Sequence, residues 1–182
     1  MRWTALFADL EAELGAAQAA EVEAEVRERS RAEAAQVRLA DRLRAARGVT
    51  LSLRVAGVGD VAGRCAAAGP DWLVVEEPSG AEVLVPLPAL LAVTGLGPWS
   101  APAPGVVAQR LDFGYALGEI SRRRTPVVLR LRDGSSLPGT VDRVGADFVD
   151  VAVHPVDEPR RSDAVQQVRT VPVGSITLLR AG

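Results

Sequence analysis

An internal repeat is the feature of this 182-residue sequence that most constrains its fold. After a shift of 76 residues the chain aligns with itself without a gap, and glycines and apolar residues coincide. The matches are Gly63 with Gly139, Gly69 with Gly145, Leu53-Arg54-Val55 with Leu129-Arg130-Leu131, and Asp71-Trp72 with Asp147-Phe148. A shift of 86 residues then matches Val85-Pro86-Leu87 with Val171-Pro172-Val173. The ten additional residues of the second copy lie in or near the polar segment 154–163. The sequence therefore predicts a duplicated unit.

Each copy has the pattern of a small β-structure. In the second copy, residues 127–132 alternate in the way of a half-buried strand, and Asp133-Gly134 is a typical hairpin turn. Gly139 lies inside the next strand, where glycine permits a sharp bend. Further strands are expected over 148–153, 168–173 and 176–179. Five short antiparallel strands with a bend in the second are typical of a small closed barrel.

The predicted fold class is mainly β with α. It consists of two tandem five-stranded barrels, each preceded by a helix, and a long N-terminal helix. The predicted domains are the helix over 1–47, barrel 1 over 48–95, a Pro/Gly linker over 96–106, and a helix plus barrel 2 over 107–182. The helix of the last domain is expected over 107–123, with Phe113, Ala116, Leu117 and Ile120 on one face.

Residues 4–47 are expected to form one helix, because they contain no proline, a single glycine, and many alanine, glutamate, arginine and leucine residues. Its acidic residues crowd the first half and its arginines the second. This layout suits antiparallel pairing with a second copy, and it equally suits a solvated helix folded back on its own domain. Residues 3–47 are therefore the predicted surface for self-association or for a protein partner.

Three segments of the second copy together resemble an Sm-like small barrel: Leu129-Arg130-Leu131-Arg132-Asp133-Gly134, Leu137-Pro138-Gly139-Thr140-Val141 and Val171-Pro172-Val173-Gly174-Ser175-Ile176. That superfamily includes the Sm and LSm proteins, the Hfq-type bacterial riboregulators and related SH3-like domains. The resemblance covers residues 37–94 and 107–180 and implies a helix ahead of the first strand of each copy. The whole layout also resembles a group of actinobacterial proteins, some labelled as transcription regulators, although no helix-turn-helix is evident here.

The resemblance does not extend to the base-binding residues of the family. RNA-binding members carry an asparagine near the third strand and an Arg-Gly or Lys-His pair before the fifth. The asparagine positions correspond here to Leu73 and Val149, and the paired positions fall near Leu87-Pro88 and Val173-Gly174. None of these side chains can hydrogen-bond a base edge or pair with a phosphate.

The charge balance excludes a strongly basic coat for nucleic acid. The chain has 21 arginines, no lysine and 23 acidic residues, which gives a net charge of -2. Residues 105–182 nevertheless hold 11 arginines against 9 acidic residues. The candidate nucleic-acid contacts are Arg122, Arg123, Arg124, Arg130, Arg132, Arg143, Arg160 and Arg161. The alternative is that these residues form a solvated or protein-facing surface.

Catalysis and metal binding find little support in the sequence. Cys65 and His154 are the only cysteine and histidine, so a Cys/His zinc site is excluded. We interpret Cys65 as a buried hydrophobe, His154 as a surface-loop residue, and Asp142, Asp147 and Asp150 as ordinary residues in or near turns. No enzyme activity, cofactor or metal is expected.

The sequence has no signal-peptide pattern and no apolar run long enough for a membrane span, so a soluble cytoplasmic protein is expected. The predicted function is that of a non-enzymatic interaction or scaffold protein, with Trp99 and exposed barrel edges as contact points. The alternative is an RNA- or DNA-binding regulator that uses the arginine-rich face of the second barrel.

Overall fold

The computed structural model describes residues 3–155 and 167–181 and divides the chain into two compact units, residues 1–38 and 39–182. The first unit is helix α1, Trp3–Gln36. Every α1 side chain that the structure describes is exposed, including the large apolar residues Leu14, Val22 and Val26. Ion pairs between residues four apart join Arg27 to Glu23 and Arg29 to Glu25 along its surface.

The predicted single helix over residues 4–47 is wrong. Helix α1 ends at Gln36, the Val37 N–H donates to the carbonyl of Ala34, and a separate helix α2 spans Leu39–Ala45. The break between α1 and α2 coincides with a change in burial. Leu43 of α2 belongs to the apolar core of the second unit, whereas the described α1 side chains are exposed. The chain changes from a solvated helix to a packed one at residues 37–38.

The described residues of the second unit form ten strands and two further short helices after α2. The strands of the first copy are β1 (Thr50–Val55), β2 (Gly59–Ala68), β3 (Trp72–Glu76), β4 (Glu82–Pro86) and β5 (Leu90–Thr94). Helices α3 (Val106–Gln109) and α4 (Phe113–Arg123) follow. The strands of the second copy are β6 (Pro126–Leu131), β7 (Ser136–Val144), β8 (Phe148–Val153), β9 (Gln167–Pro172) and β10 (Ile176–Ala181). A short 3-10 turn separates β4 from β5 and β9 from β10.

The helix predicted over residues 107–123 is two helices. Asp112 interrupts it, because its carboxylate accepts the N–H of Tyr115 at 2.8 Å and thereby caps the start of α4. The expected apolar face of α4 is confirmed: Phe113 and Leu117 are buried, and Ala116 and Ile120 pack against the same core.

The ten strands form one open antiparallel sheet in the order β5-β1-β2-β3-β4-β10-β6-β7-β8-β9. Each copy has the same internal order, in which its fifth strand lies beside its first. The two copies join where β4 pairs with β10, with Leu84 opposite Leu179 and Val83 opposite Arg180. This open sheet confirms the expected mainly β class with helices, and it leaves β5 and β9 as the edges of the described sheet.

The predicted correspondence between the two copies is confirmed by matching close contacts. A Cβ atom added to Gly63 would collide with the carbonyl oxygen of Glu76, and one added to Gly139 would collide with the carbonyl oxygen of Ala152. The first collision lies between β2 and β3 and the second between β7 and β8, at equivalent positions of the two copies. Only glycine therefore allows the adjacent strand to approach so closely at the bend.

Each of the two apolar cores includes a side chain from the other copy. One core contains Leu43, Leu53 and Leu73 together with Leu178, which belongs to β10 of the second copy. The other contains Phe113, Leu117, Leu129 and Val149 together with Leu84, which belongs to β4 of the first copy. The two apolar cores of the second unit are therefore continuous with each other.

Candidate interaction surfaces

An apolar cleft of about 460 Å³ lies at the junction between the copies. The outer face of β3 and β4, the end of β10 and helix α4 line it, mainly through Trp72, Val74, Leu84, Ile120 and Leu179. Glu82, Glu119 and Arg123 add charge to the same lining. The indole N–H of Trp72 donates to the carbonyl of Leu111 at 2.8 Å and thereby holds the chain ahead of α4 against the first copy.

Asp71 connects the first copy to α4. Its carboxylate accepts the N–H of Phe113 at 2.8 Å, and its carbonyl accepts the N–H of Leu87 at 2.8 Å. Burial raises the pKa of the Asp71 carboxyl, and the hydrogen bond from Phe113 acts in the opposite direction. The carbonyl of Asp147, the equivalent residue, accepts the N–H of Val173 at 2.8 Å. The turn is thus repeated, and the side-chain contact to α4 is specific to the first copy.

The corresponding outer face of the second copy is polar. In the first copy Val74 pairs with Leu84, and at the equivalent place Asp150 pairs with Thr170. The Asp150 carboxylate accepts the Thr170 hydroxyl at 2.7 Å and the Arg143 Nε–H at 2.8 Å. These two partners lower the pKa of the Asp150 carboxyl, the Thr170 hydrogen bond more strongly. The Arg143 guanidinium also lies 5.2 Å from the centre of the Phe148 ring.

Four of the arginines proposed from the sequence contact their own copy. Arg122 pairs with Glu119 at 2.6 Å, Arg130 donates to the Ser136 hydroxyl at 2.6 Å, and Arg143 pairs with Asp150 as above. The Nε–H of Arg132 donates to the carbonyl of Gly174 at 2.7 Å. Their guanidinium groups are therefore partly committed to internal contacts.

The remaining candidates are Arg123, Arg124, Arg160 and Arg161. Arg123 and Arg124 are exposed at the end of α4, and Arg124 adopts a left-handed backbone conformation with a φ of 51°. Arg160 and Arg161 lie outside the described residues. The structure distributes three of the described arginines among separate clefts, with Arg123 in the junction cleft, Arg130 beside Asp60 and Arg180, and Arg132 beside Asp71 and Asp112.

The residues that the resemblance to Sm-like proteins aligns with base-contact positions are apolar. Leu73 and Val149 are completely buried, each in the core of its own copy. The second set of positions, Leu87-Pro88 and Val173-Gly174, forms the 3-10 turns before β5 and β10. Neither set presents a charged or amide group.

His154 is buried, so its interpretation as a surface-loop residue is wrong. Its Nε2 lies 2.8 Å from the Thr140 hydroxyl, and its Nδ1 lies 2.8 Å from the carbonyl of Pro155. Because a carbonyl only accepts, Nδ1 donates to Pro155, and in the neutral ring Nε2 then accepts from the Thr140 hydroxyl. The His154 N–H also donates to the carbonyl of Pro138, which precedes the bend at Gly139. The bend in β7 therefore buries His154, although the segment that follows it in the sequence is polar.

The other chemical candidates have structural roles. Cys65 is buried as predicted, its thiol donates to the carbonyl of Leu43 at 3.7 Å, and burial raises its pKa. In the part of the chain that the structure describes, no three His, Cys, Asp or Glu residues are grouped so that they could hold a metal ion. Across residues 3–155 and 167–181, no helix is both long enough and apolar enough to cross a membrane.

The two edge strands differ in composition. Strand β5, Leu-Leu-Ala-Val-Thr, has no charged residue and no proline, and Leu91 is 66% exposed. Strand β9 carries Arg169 and ends at Pro172. Trp99, which follows β5, is 78% exposed. Strand β5 is therefore the uncharged edge of the described sheet, and its register against β1 shifts between Arg54 and Val55, as at a β-bulge.

Comparison of the chain with protein-family models, with curated proteins and with solved structures found no match in any of the three.

Proposed function

We propose that this chain is a non-enzymatic interaction or scaffold protein built from two Sm-like small barrels. The observation that carries the proposal is the pairing of β4 with β10, which joins two copies of one strand order edge to edge. A fold that joins its own copies in this way offers strand edges as its natural binding surface. The bends at Gly63 and Gly139 support the barrel assignment, because they curve the second strand of each copy.

Helix α1 is the second proposed contact surface. Its 34 residues would extend about 51 Å at 1.5 Å per residue. Its described side chains are exposed, including Val22 and Val26, and a helix without a packed face gains stability from ion pairs or from a partner. The concentration of glutamates ahead of the arginines suits an antiparallel partner helix with the same charge order.

Co-purification of the tagged full-length protein, with and without nuclease, tests the scaffold proposal. We expect protein partners to remain after nuclease treatment and to be reduced in the Val22→Glu, Val26→Glu double variant, which adds like charge to the middle of α1. The matched control is Ala24→Gln, which leaves the charge of this segment unchanged. Recovery of nucleic acid alone, and of no protein once nuclease is added, would contradict the proposal.

The alternative function is an RNA- or DNA-binding regulator. The observation that favours it is that Arg123 and Arg124 are exposed and have no side-chain partner among the described residues. Binding through them would weaken steeply with salt, since phosphate contacts release counterions. We expect an Arg123→Ala, Arg124→Ala variant to lose binding to mixed RNA and DNA, and Arg110→Ala to serve as the control. Undetectable binding of the native chain at about 50 mM salt would exclude this function.

A further inference from the structure

Residues 83–109 form a stretch without any charged side chain that nevertheless exposes large apolar residues. Leu91, Trp99, Val106 and Val107 lie in it, with exposed fractions of 66%, 78%, 71% and 77%. Among the large apolar residues that the structure describes, Trp99 is the most exposed. Exposed apolar groups that are concentrated in one segment indicate an interaction surface.

The loop around Trp99, residues 97–102, is fixed to helix α2. Three hydrogen bonds of 2.7, 2.9 and 2.9 Å join the loop to the helix: Arg44 Nη2 to the carbonyl of Pro102, Arg42 Nη2 to the carbonyl of Gly97, and the Ala101 N–H to the carbonyl of Asp41. The backbone is therefore held on both sides of Trp99. A side chain on a support that is already ordered loses less conformational entropy when it makes a contact.

The helix that holds this loop is basic. Residues 39–49 contain three arginines and one aspartate, and the aspartate carboxylate is paired with Arg44 at 2.6 Å. Arg42 and Arg47 have no carboxylate partner among the described residues. Arg42 binds the carbonyl two residues before Trp99, and two extended residues span at most about 7 Å. An exposed indole therefore lies close to uncompensated positive charge.

We propose that the Trp99 loop and α2 dock on an anionic lipid surface. Tryptophan favours the boundary between headgroups and acyl chains, and arginines beside it attract acidic headgroups from the aqueous side. The contact is peripheral, because only the loop enters this boundary. The inference goes beyond the scaffold function, since it depends on neither the Sm-like assignment nor a protein partner.

The backbone of the loop also favours lipid over a pocket in another protein. Unsatisfied N–H and C=O groups are costly at the edge of hydrocarbon. Two of the six loop residues are prolines, which have no N–H, and α2 already satisfies two loop carbonyls and one N–H. A lipid surface also accepts a single projecting side chain at any point, whereas a protein partner needs a matching pocket.

The expected binding is weak and salt-dependent. A single myristoyl chain binds membranes with a constant of only about 10⁴ M⁻¹, and one indole offers less apolar surface than such a chain. Half-binding is therefore expected above about 0.1 mM lipid. Salt screens the arginines, because the Debye length falls from about 10 Å at 0.1 M to about 3 Å at 1 M.

Co-sedimentation of the full-length chain with lipid vesicles tests the proposal. We expect binding to vesicles of equal parts phosphatidylglycerol and phosphatidylcholine, much weaker binding to pure phosphatidylcholine, and loss of binding at high salt. Trp99→Ala and Arg47→Gln are each expected to weaken binding about fivefold or more. The matched controls are Tyr115→Ala and Arg169→Gln, which remove an exposed aromatic ring and an exposed arginine from the second copy. Both are expected to bind like the native chain.

Quenching of tryptophan fluorescence by brominated acyl chains tests which residue enters the lipid. We expect anionic vesicles that carry these lipids to quench the native chain. Trp99→Phe, which keeps Trp3 and Trp72, is expected to lose this quenching and to keep part of the binding, because phenylalanine is also apolar. Equal quenching of both proteins would show that another tryptophan enters the lipid and would overturn the proposal.

Two further results would overturn it. The native chain could fail to bind the anionic vesicles at about 1 mM lipid and about 50 mM salt. The Trp99→Ala variant could bind them as tightly as the native chain while its circular dichroism stays unchanged. Loss of co-purifying protein from Trp99→Ala, without vesicle binding by the native chain, would assign the loop to a protein partner instead. Failure with vesicles would leave the scaffold proposal to its own co-purification test.

Discussion

The outer faces of the two copies have one backbone arrangement and opposite chemistry. In the first copy Trp72, Val74 and Leu84 form an apolar face that α4 and β10 approach, whereas Asp150 and Thr170 take the equivalent places in the second. The strand pairing is the same in both. The difference shows that the side chains of a repeated strand depend on the elements packed against it. The face of β3 and β4 that α4 and β10 approach is apolar, whereas the equivalent face of β8 and β9 carries polar groups that are hydrogen-bonded to one another.

The largest expected effects come from the equivalent core residues Leu53 and Leu129, both of which are completely buried. Leu53→Ala and Leu129→Ala are each expected to lower the free energy of unfolding by about 2–5 kcal/mol. Because Leu84 and Leu178 link the cores, residues 39–182 are expected to unfold in one transition in both variants. Urea unfolding, followed by circular dichroism and tryptophan fluorescence, measures this. Separate transitions for the two probes would show that the copies are independent.

Exchanging residues between the two faces tests the comparison directly. Val74→Asp places an unpaired carboxylate beside Leu84 at the covered junction and is expected to cost about 1–3 kcal/mol of unfolding free energy. The reciprocal Asp150→Val removes an ion pair to the exposed Arg143 and is expected to change stability less. Thermal unfolding at neutral pH compares the two. Equal destabilisation by both changes would mean that cover does not determine the chemistry of these faces.

Much of the second copy was predictable because its signals are local. Alternation places a strand over residues 148–153, where β8 lies, and the turn at Asp133-Gly134 separates β6 from β7. The helix breaks at residues 37–38 and at Asp112 were not predicted, because both flanks have helical composition and burial decides the boundary. The β4–β10 pairing joins residues almost 100 positions apart, and no local pattern encodes it.

The candidate sites were less predictable than the fold. The sequence suggested a single arginine-rich face, but Arg123, Arg130 and Arg132 line different clefts once the strands are in place. The burial of His154 depends on the bend of β7 around the end of β8, and proline and charged neighbours conceal it in the sequence. Strand β5 has an ordinary apolar pattern, and only the strand order identifies it as an edge.

A second difference between the copies is the buried pair of Thr140 and His154: Arg64 takes the place of Thr140 in the first copy, and His154 begins the segment that holds the additional residues of the second copy. Thr140→Val keeps the shape of the side chain but leaves the His154 Nε2 without its donor. It is expected to lower the unfolding free energy by about 1–3 kcal/mol, the usual cost of an unsatisfied buried group. Thr170→Val is the exposed control, with a smaller expected loss. Chemical unfolding measures both, and equal losses would contradict the importance of burial at Thr140.

The smallest expected effects are opposite pH dependences of Asp71 and Asp150. Burial raises the pKa of Asp71, so its ionised form lowers stability once the pH exceeds the normal carboxyl pKa. Asp71→Asn should therefore gain stability relative to the native chain as the pH rises from 3 to 7, because the amide oxygen can still accept from Phe113.

Hydrogen bonds lower the pKa of Asp150, so its contribution is present above the normal carboxyl pKa and lost as the pH falls. Asp150→Asn should lose stability at pH 7 and approach the native chain near pH 3. Urea unfolding at several pH values between 3 and 7 measures both differences in unfolding free energy. If the two variants showed the same pH dependence relative to the native chain, the opposite pKa shifts of Asp71 and Asp150 would be contradicted.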